Sequence, residues 1–255
     1  MDKKYWVPAL EKANDIVHAL AEAPSSLKLI DLSRRLDINK SSMFSLLNTL
    51  ETLEWVVRED DGTYSLGSKL GLLGSAFFKQ YSVIDMFRKE VASVKQQLGE
   101  TIQLAKLEQR EVLYLAKEEG ASQVRLASEP GMKMAAHVTA LGKALLAYQP
   151  AAVFGALYAE ELLAPTPTPH TIRTKSQLAA ELDTIRRKGC AFDLQEAVTG
   201  FSCVAAPIFD AQGQPVAAIS CSMIQHVWEE KQQLAQQLIC EMAKRMSHGA
   251  HGHTD

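Results

Sequence analysis

Apolar positions recur every three to four residues over Leu10, Ala13, Ile16, Val17 and Leu20, which predicts an amphipathic helix running to Ala21. Pro8 opens it, where a missing N–H is harmless. Ala23-Pro24-Ser25-Ser26 ends it, and Ser26 is the expected cap of the next helix. Leu29, Leu32 and Leu36 form the buried side of a short second helix. Asp37-Ile38 is the turn after it, with Asp37 in a left-handed conformation and Ile38 plugging the core. Asn39 caps a third helix whose stripe is Met43, Leu46, Leu47, Leu50 and Leu53. Trp55–Arg58 and Tyr64–Leu66 then flank a polar turn at Asp60-Asp61-Gly62, the pattern of a β-ribbon. Two helices on a tight turn, closed by a ribbon, make a winged helix-turn-helix, whose second helix lies in the DNA major groove.

The other face of the third helix carries Lys40, Ser41, Ser42, Phe44, Ser45 and Asn48. Short hydroxyl and amide groups near a helix start suit phosphates and base edges, and Phe44 suits a thymine methyl. A merely solvated face has the same pattern, and it is the ribbon that decides for DNA. Lys28, Arg34 and Arg58 complete the expected contact set. Ser68–Phe78 predicts a helix with Leu70, Leu73 and Phe77 on one side. Its glycines weaken it alone, so it should pack on the first domain or on a second copy of it. The expected layout is a DNA-binding domain over 1–67, a linker helix over 68–81 and a second domain over 82–248.

In that second domain Ile84, Phe87, Val91, Val94 and Leu98 mark a long helix. Thr101–Lys106, Val112–Ala116 and Val124–Ala127 alternate about charged turns, as an antiparallel meander does. Helices are predicted at Ala140–Tyr148, Ala151–Tyr158 and Ser176–Lys188, with Pro165, Pro167 and Pro169 in an extended loop. Strands Ser202–Phe209 and Pro215–Met223 flank a turn at 210–213, and Trp228–Met246 is the last helix. Strand runs with helices on one face predict an α+β domain of the sensor type.

Composition narrows the class. With 47% hydrophobic and 22% charged residues the 255-residue chain is an ordinary globule. It lacks an apolar run of the ~18 residues that a membrane span needs. The start, Met1 to Trp6, lacks a signal-peptide core, so the expected location is cytoplasmic. Cys190, Cys203, Cys221 and Cys240 have no Cys-x-x-Cys spacing and read as free, mostly buried thiols. No metal or cofactor is expected; the His248–His253 tail reads as a frayed terminus. The net charge of −3 gives DNA binding no electrostatic help. Weak binding by each domain then implies several domains acting together.

Three stretches give the chain a family likeness: Gly131–Ala144, Gly189–Asp210 and the wing end Gly62–Gly67. In order, and across nearly the whole length, they resemble the IclR family of bacterial transcriptional regulators. The resemblance implies a C-terminal GAF/PAS-like domain that binds a small acidic or aromatic metabolite. It places Thr139, Ala140, Leu141, Asp193, Cys203, Ser220 and Ser222 around that effector. The residues agree in part: Ser220 and Ser222 alternate along one strand and share a face, although a satisfied strand face would look the same. The N–H groups opening the Ala140 helix suit a carboxylate. The chain departs from the family at Ser45, where a basic residue is common, and at Asp37, where Gly is common. Leu141 is bulkier than usual and narrows the expected pocket.

The resulting expectation is a DNA-binding regulator with a small-molecule effector, acting as a homodimer or dimer of dimers on a palindromic operator. Two rivals accompany it. Cys203, His137 and Asp193, with Lys143 nearby, form a conceivable nucleophilic set for an enzyme, but no nucleophile elbow or phosphate loop supports it. The second domain as a ligand-free dimerisation platform is the other.

Overall fold

A computed structural model of the chain describes residues 6–78, 82–122 and 128–249. The chain divides into two compact units, Met1–Gln80 and Tyr81–Asp255.

In the first unit, helix α1 (Pro8–Glu22) is followed by the short strand β1 (Leu27–Lys28), α2 (Leu29–Arg35) and α3 (Lys40–Thr52). Strands β2 (Val56–Arg58) and β3 (Thr63–Leu66) form the ribbon, and α4 (Ser68–Phe78) ends the unit. Asp37 takes φ 51°, the left-handed turn that the helix pair needs. Asn39 caps α3 by accepting from the Ser42 N–H at 2.9 Å. Ile16, Leu20, Leu32, Ile38, Met43 and Leu47 make one core.

Three expectations fail here. The ribbon has a third strand, because β1 pairs with β3 at Leu27–Tyr64 and Lys28–Thr63. That pairing draws the chain past Ser26, whose hydroxyl donates to Ala23 O instead of capping α2. The α2 start is held by the Lys28 N–H donating to Asp31 Oδ2 at 3.0 Å. Leu10 and Leu53 are exposed, since they sit on the first turn of α1 and at the end of α3, past the edge of the core. The apolar side of α4 is also uncovered: Leu72 is 61% and Leu73 49% exposed.

Gly67 joins wing to helix by close contact. A Cβ there would meet Glu54 O at 2.1 Å, and the Gly67 N–H donates to Trp55 O at 2.8 Å.

The second unit opens with α5 (Ser82–Leu98) and continues through β4 (Thr101–Glu108), β5 (Glu111–Glu118) and β6 (Lys133–Ala135). A single 3-10 turn, Ala136–Val138, leads into α6 (Ala140–Leu146), α7 (Ala151–Leu157) and α8 (Lys175–Lys188). Strands β7 (Ala191–Leu194), β8 (Phe201–Phe209) and β9 (Pro215–Ile224) precede α9 (Gln225–Gly249). The six strands form one antiparallel sheet in the order β6-β5-β4-β9-β8-β7. Alternation along β9 sends Ala218, Ser220 and Ser222 to one face and Ile219, Cys221 and Met223 to the other. Ala218 packs in the core built on α6 and α8, whereas α9 lies over β8 and β9 and also packs on α5.

The expected strand at Val124–Ala127 lies outside the described residues, as does most of the histidine tail. Lys133–Ala135 pairs with β5. It and Ala191–Leu194 are strands too short to show a period of their own.

Candidate functional site

The first unit presents α3 outward. Lys40, Ser41, Ser45 and Asn48 are exposed, Ser42 is half-buried, and Phe44 is 61% exposed. The phenyl ring therefore stands in solvent among the short polar side chains of this face. The Ser45, Thr49 and Thr52 hydroxyls donate to the carbonyls one turn back, at Ser41, Ser45 and Asn48. Lys28, Arg34, Lys40 and Arg58 are exposed, and none is in an ion pair among the described residues. Arg35, by contrast, is bound to Glu22.

The second unit encloses a cavity of about 250 Å³ between α6 and the sheet. Strand register explains how residues distant in sequence meet there. Asp193 on β7 pairs with Cys203 on β8, Cys203 with Ser222 on β9, and Ser222 with Thr101 on β4. One step along, Ala205 pairs with Ser220 and Ser220 with Gln103. All seven residues expected around the effector, Thr139, Ala140, Leu141, Asp193, Cys203, Ser220 and Ser222, line this cavity. Tyr114, Met134, Val198 and Phe201 supply apolar walls.

Gln103, the centre of the polar wall, is not among the residues expected there from the sequence. Its Oε1 accepts from Ser220 Oγ at 3.2 Å and Ser222 Oγ at 3.0 Å, and its Nε2 donates to Ser128 Oγ. The signal was available: Thr101 and Gln103 alternate with Ile102 and Leu104 as the serines do with Ile219 and Cys221. Both serine hydroxyls spend their protons on Gln103, so they offer lone pairs to the cavity.

Asp193 is 4% exposed, and its Oδ1 accepts from the N–H groups of Glu196 (2.6 Å) and Ala197 (3.3 Å). Burial lifts its carboxyl to about 7 against these bonds and the Lys143 charge. Lys143 on α6 is buried and paired with Glu196 Oε1, and Glu196 Oε2 has no hydrogen-bond partner among the described residues. Burial raises the Glu196 carboxyl too, with Lys143 opposing. Thr168 and Thr171, from the proline loop, donate to Gln195 O and Glu196 O, each at 2.7 Å, and hold the turn that follows Asp193. Gly142 sets the depth of α6: a Cβ there would meet Ala136 O at 2.1 Å. Thr139 Oγ1 caps that helix by accepting from the Gly142 N–H at 3.0 Å.

The nucleophilic set does not form. Cys203 donates to Ser222 Oγ at 3.2 Å, and burial pushes its thiol well above the usual range. His137 Nε2 is 2.9 Å from Pro165 O, not from a thiol, and burial lowers its pKa. A protonated thiol without a base is no nucleophile.

A winged helix-turn-helix with an outward polar helix, on a chain whose second unit encloses a cavity, defines a DNA-binding transcriptional regulator. Residues 9–60 match the IclR helix-turn-helix domain, and residues 76–248 match the family described as Bacterial transcriptional regulator IclR C-terminal. The chain belongs to the IclR family. It is 30% identical over 219 residues to the HTH-type transcriptional regulator XynR of Escherichia coli (strain K12), covering 86% of each. Among solved structures, the IclR of Thermotoga maritima matches with a TM-score of 0.86 and 29% identity over 95% of this chain and 98% of that one. An IclR homolog from Microbacterium hydrocarbonoxydans, complexed with 4-hydroxybenzoate, shares the fold at TM-score 0.78 and 20% identity, over 96% of this chain and 99% of that one. The chain is a regulator and not an enzyme. No helix among the described residues is long and apolar enough to cross a membrane.

Proposed function

We propose that this regulator reads a palindromic operator in the cytoplasm as a homodimer or dimer of dimers, and that a small organic acid or aromatic metabolite in the Asp193 cavity modulates its binding. The polar row across the sheet carries the reading. Buried hydroxyls, an amide and a carboxyl converge on an apolar-walled space of the size of a small metabolite. The 4-hydroxybenzoate bound by the Microbacterium homolog is of this type.

Among the described residues the lining holds no Lys, Arg or His, and the nearby Lys143 is committed to Glu196. An anionic ligand therefore binds with a proton kept on Asp193, whose second oxygen has no hydrogen bond among the described residues. A ligand hydroxyl instead donates to that oxygen or to the serine lone pairs. On the DNA side, Lys40, Ser41, Ser42, Phe44, Ser45 and Asn48 of α3 enter the major groove, and Lys28, Arg34 and Arg58 meet phosphates. Trp6, Val7 and Leu10 at the start of α1, with Leu72 and Leu73 on α4, are exposed apolar surface that a second copy covers. Effector binding changes the spacing of the paired reading heads through α4.

A thermal-shift panel of small carboxylic acids and hydroxylated aromatics, run with a gel-shift assay on the chain's own upstream DNA, tests the reading. A ligand that raises the melting temperature and changes operator affinity is expected. In the double variant Ser220→Ala, Ser222→Ala the ligand response disappears while operator binding persists. Loss of both together, or no preference for upstream DNA over random duplex, overturns the proposal.

A further inference from the structure

Four cysteines lie in the second unit, and they fall into two kinds. Cys203 and Cys221 are buried inside the sheet, and burial raises both thiols. Cys190 and Cys240 are 50 positions apart in sequence, yet their side chains meet.

The packing of α9 beside the start of β7 brings them together. Alternation turns Ala191 and Asp193 towards α6 and Phe192 towards α9, and Cys190, the residue before β7, lies on the α9 side as well. Phe192 meets the Trp228 ring edge-on, with centroids 5.9 Å apart. Further along the same helix, Gln236 Nε2 donates to Cys190 Sγ at 3.4 Å. Cys240 is one turn beyond Gln236 on the same face, which sets its thiol against Cys190. Cys190 is fully buried, whereas Cys240 is half-exposed and opens the pair to solvent.

We infer that Cys190 and Cys240 are a thiol-oxidation site, a dithiol that a peroxide converts to an intrachain disulfide between the start of β7 and α9. The pair also has the needed chemistry. Contact between the two thiols and the Gln236 bond both favour loss of one proton from the pair, although burial opposes it. The thiolate of the pair attacks one peroxide oxygen; an S–O bond forms, the O–O bond breaks, and the departing hydroxide takes up a proton to become water. The second sulfur of the pair then attacks the sulfenic sulfur, losing its own proton. The S–S bond forms, the S–O bond breaks, and a second water leaves. Two thiols are oxidised, one peroxide is reduced, and a dithiol reductant reverses the change. Asp193 lies three residues beyond Cys190 on the tethered strand, so the bond fixes the strand that forms one wall of the cavity. The site itself does not depend on what the cavity binds.

The test oxidises the full folded chain with a slight excess of hydrogen peroxide, denatures it without reductant, alkylates free thiols and maps the peptides. The expected result is one cross-linked peptide pair containing Cys190 and Cys240, lighter by about 2 Da than the sum of its parts and reversed by dithiothreitol. Cys203 and Cys221 are fully alkylated in the same sample. Oxidising a mixture of isotope-labelled and unlabelled chains shows cross-links only within a chain. With Cys240→Ser, Cys190 stops at the sulfenic or sulfinic acid and no cross-link forms. Alkylation of all four thiols after peroxide, a cross-link between chains, or one that involves Cys203 or Cys221 overturns the inference. The mapping of the unaltered protein stands whether or not the variant folds.

Discussion

The two units solve opposite problems with polar groups. The reading unit keeps its chemistry outside: α3 shows water a row of hydroxyls, an amide and a phenyl ring, and its ion pair, Arg35–Glu22, is 42% and 67% exposed. The cavity unit puts its chemistry inside, where Gln103, Asp193, Glu196, Lys143 and two serines are all buried. A surface polar group loses little when its partner goes, because water replaces the partner. A buried one is left without a substitute. Variants in the two units should therefore differ most where the chemistry is most alike.

The ion pairs give the largest contrast. Lys143→Met leaves Glu196 buried with neither oxygen paired, and should cost the second unit about 3–5 kcal/mol in denaturant unfolding. Arg35→Met breaks the exposed pair and should cost about 0–1 kcal/mol in the first. Equal losses would show that the Lys143 site is wet and that inside and outside are not distinct in this protein.

That contrast also explains how much of each unit was legible in the sequence. The reading unit is local: Asp37, Asn39 and the Met43–Leu50 stripe each act within one or two turns, so periodicity and capping chemistry reveal α1, α2, α3 and the ribbon. Even there the long-range pairing of Leu27–Lys28 with β3 was invisible, and with it the true cap of α2. In the cavity unit the long helices and paired strands could be read, but the polar row Asp193–Cys203–Ser222 exists only through registers between β7, β8 and β9. Periodicity gives the face of each residue but not its neighbour across the sheet. Ser220 and Ser222 were therefore found as a pair on one face, and the other cavity residues came from family likeness. Gln103, their hydrogen-bond partner, and the Lys143–Glu196 pair, 53 residues apart, were missed.

Asp193 comes next in expected size. Its carboxyl is raised in the folded chain to about 7, against about 4 when unfolded, so the fold favours the protonated form. Stability is then lost as pH rises from about 4 to about 7 and is level above. At about 1.4 kcal/mol per pKa unit the loss reaches roughly 4 kcal/mol. Asp193→Asn keeps an oxygen for the Glu196 and Ala197 N–H groups and cannot ionise, so its unfolding free energy should be flatter over that window. For an anionic effector, affinity for the unaltered protein should fall as pH rises through about 7. Parallel pH profiles for the two proteins would dispose of the buried-acid argument.

The smallest effects belong to α3. Lys40→Ala should weaken operator and random duplex alike and reduce the slope of log K against log salt by about 1, because one phosphate contact is lost. Phe44→Ala should leave that slope unchanged and cost about 1 kcal/mol on the preferred site only, as the loss of an apolar contact to a base does. Neither change should move the melting temperature of the free protein, since both side chains stand in solvent. The pair separates two uses of one helix face. If Phe44→Ala also lowered random-duplex binding, the ring would be holding the backbone of the duplex, and sequence discrimination would fall to Ser41, Ser42, Ser45 and Asn48.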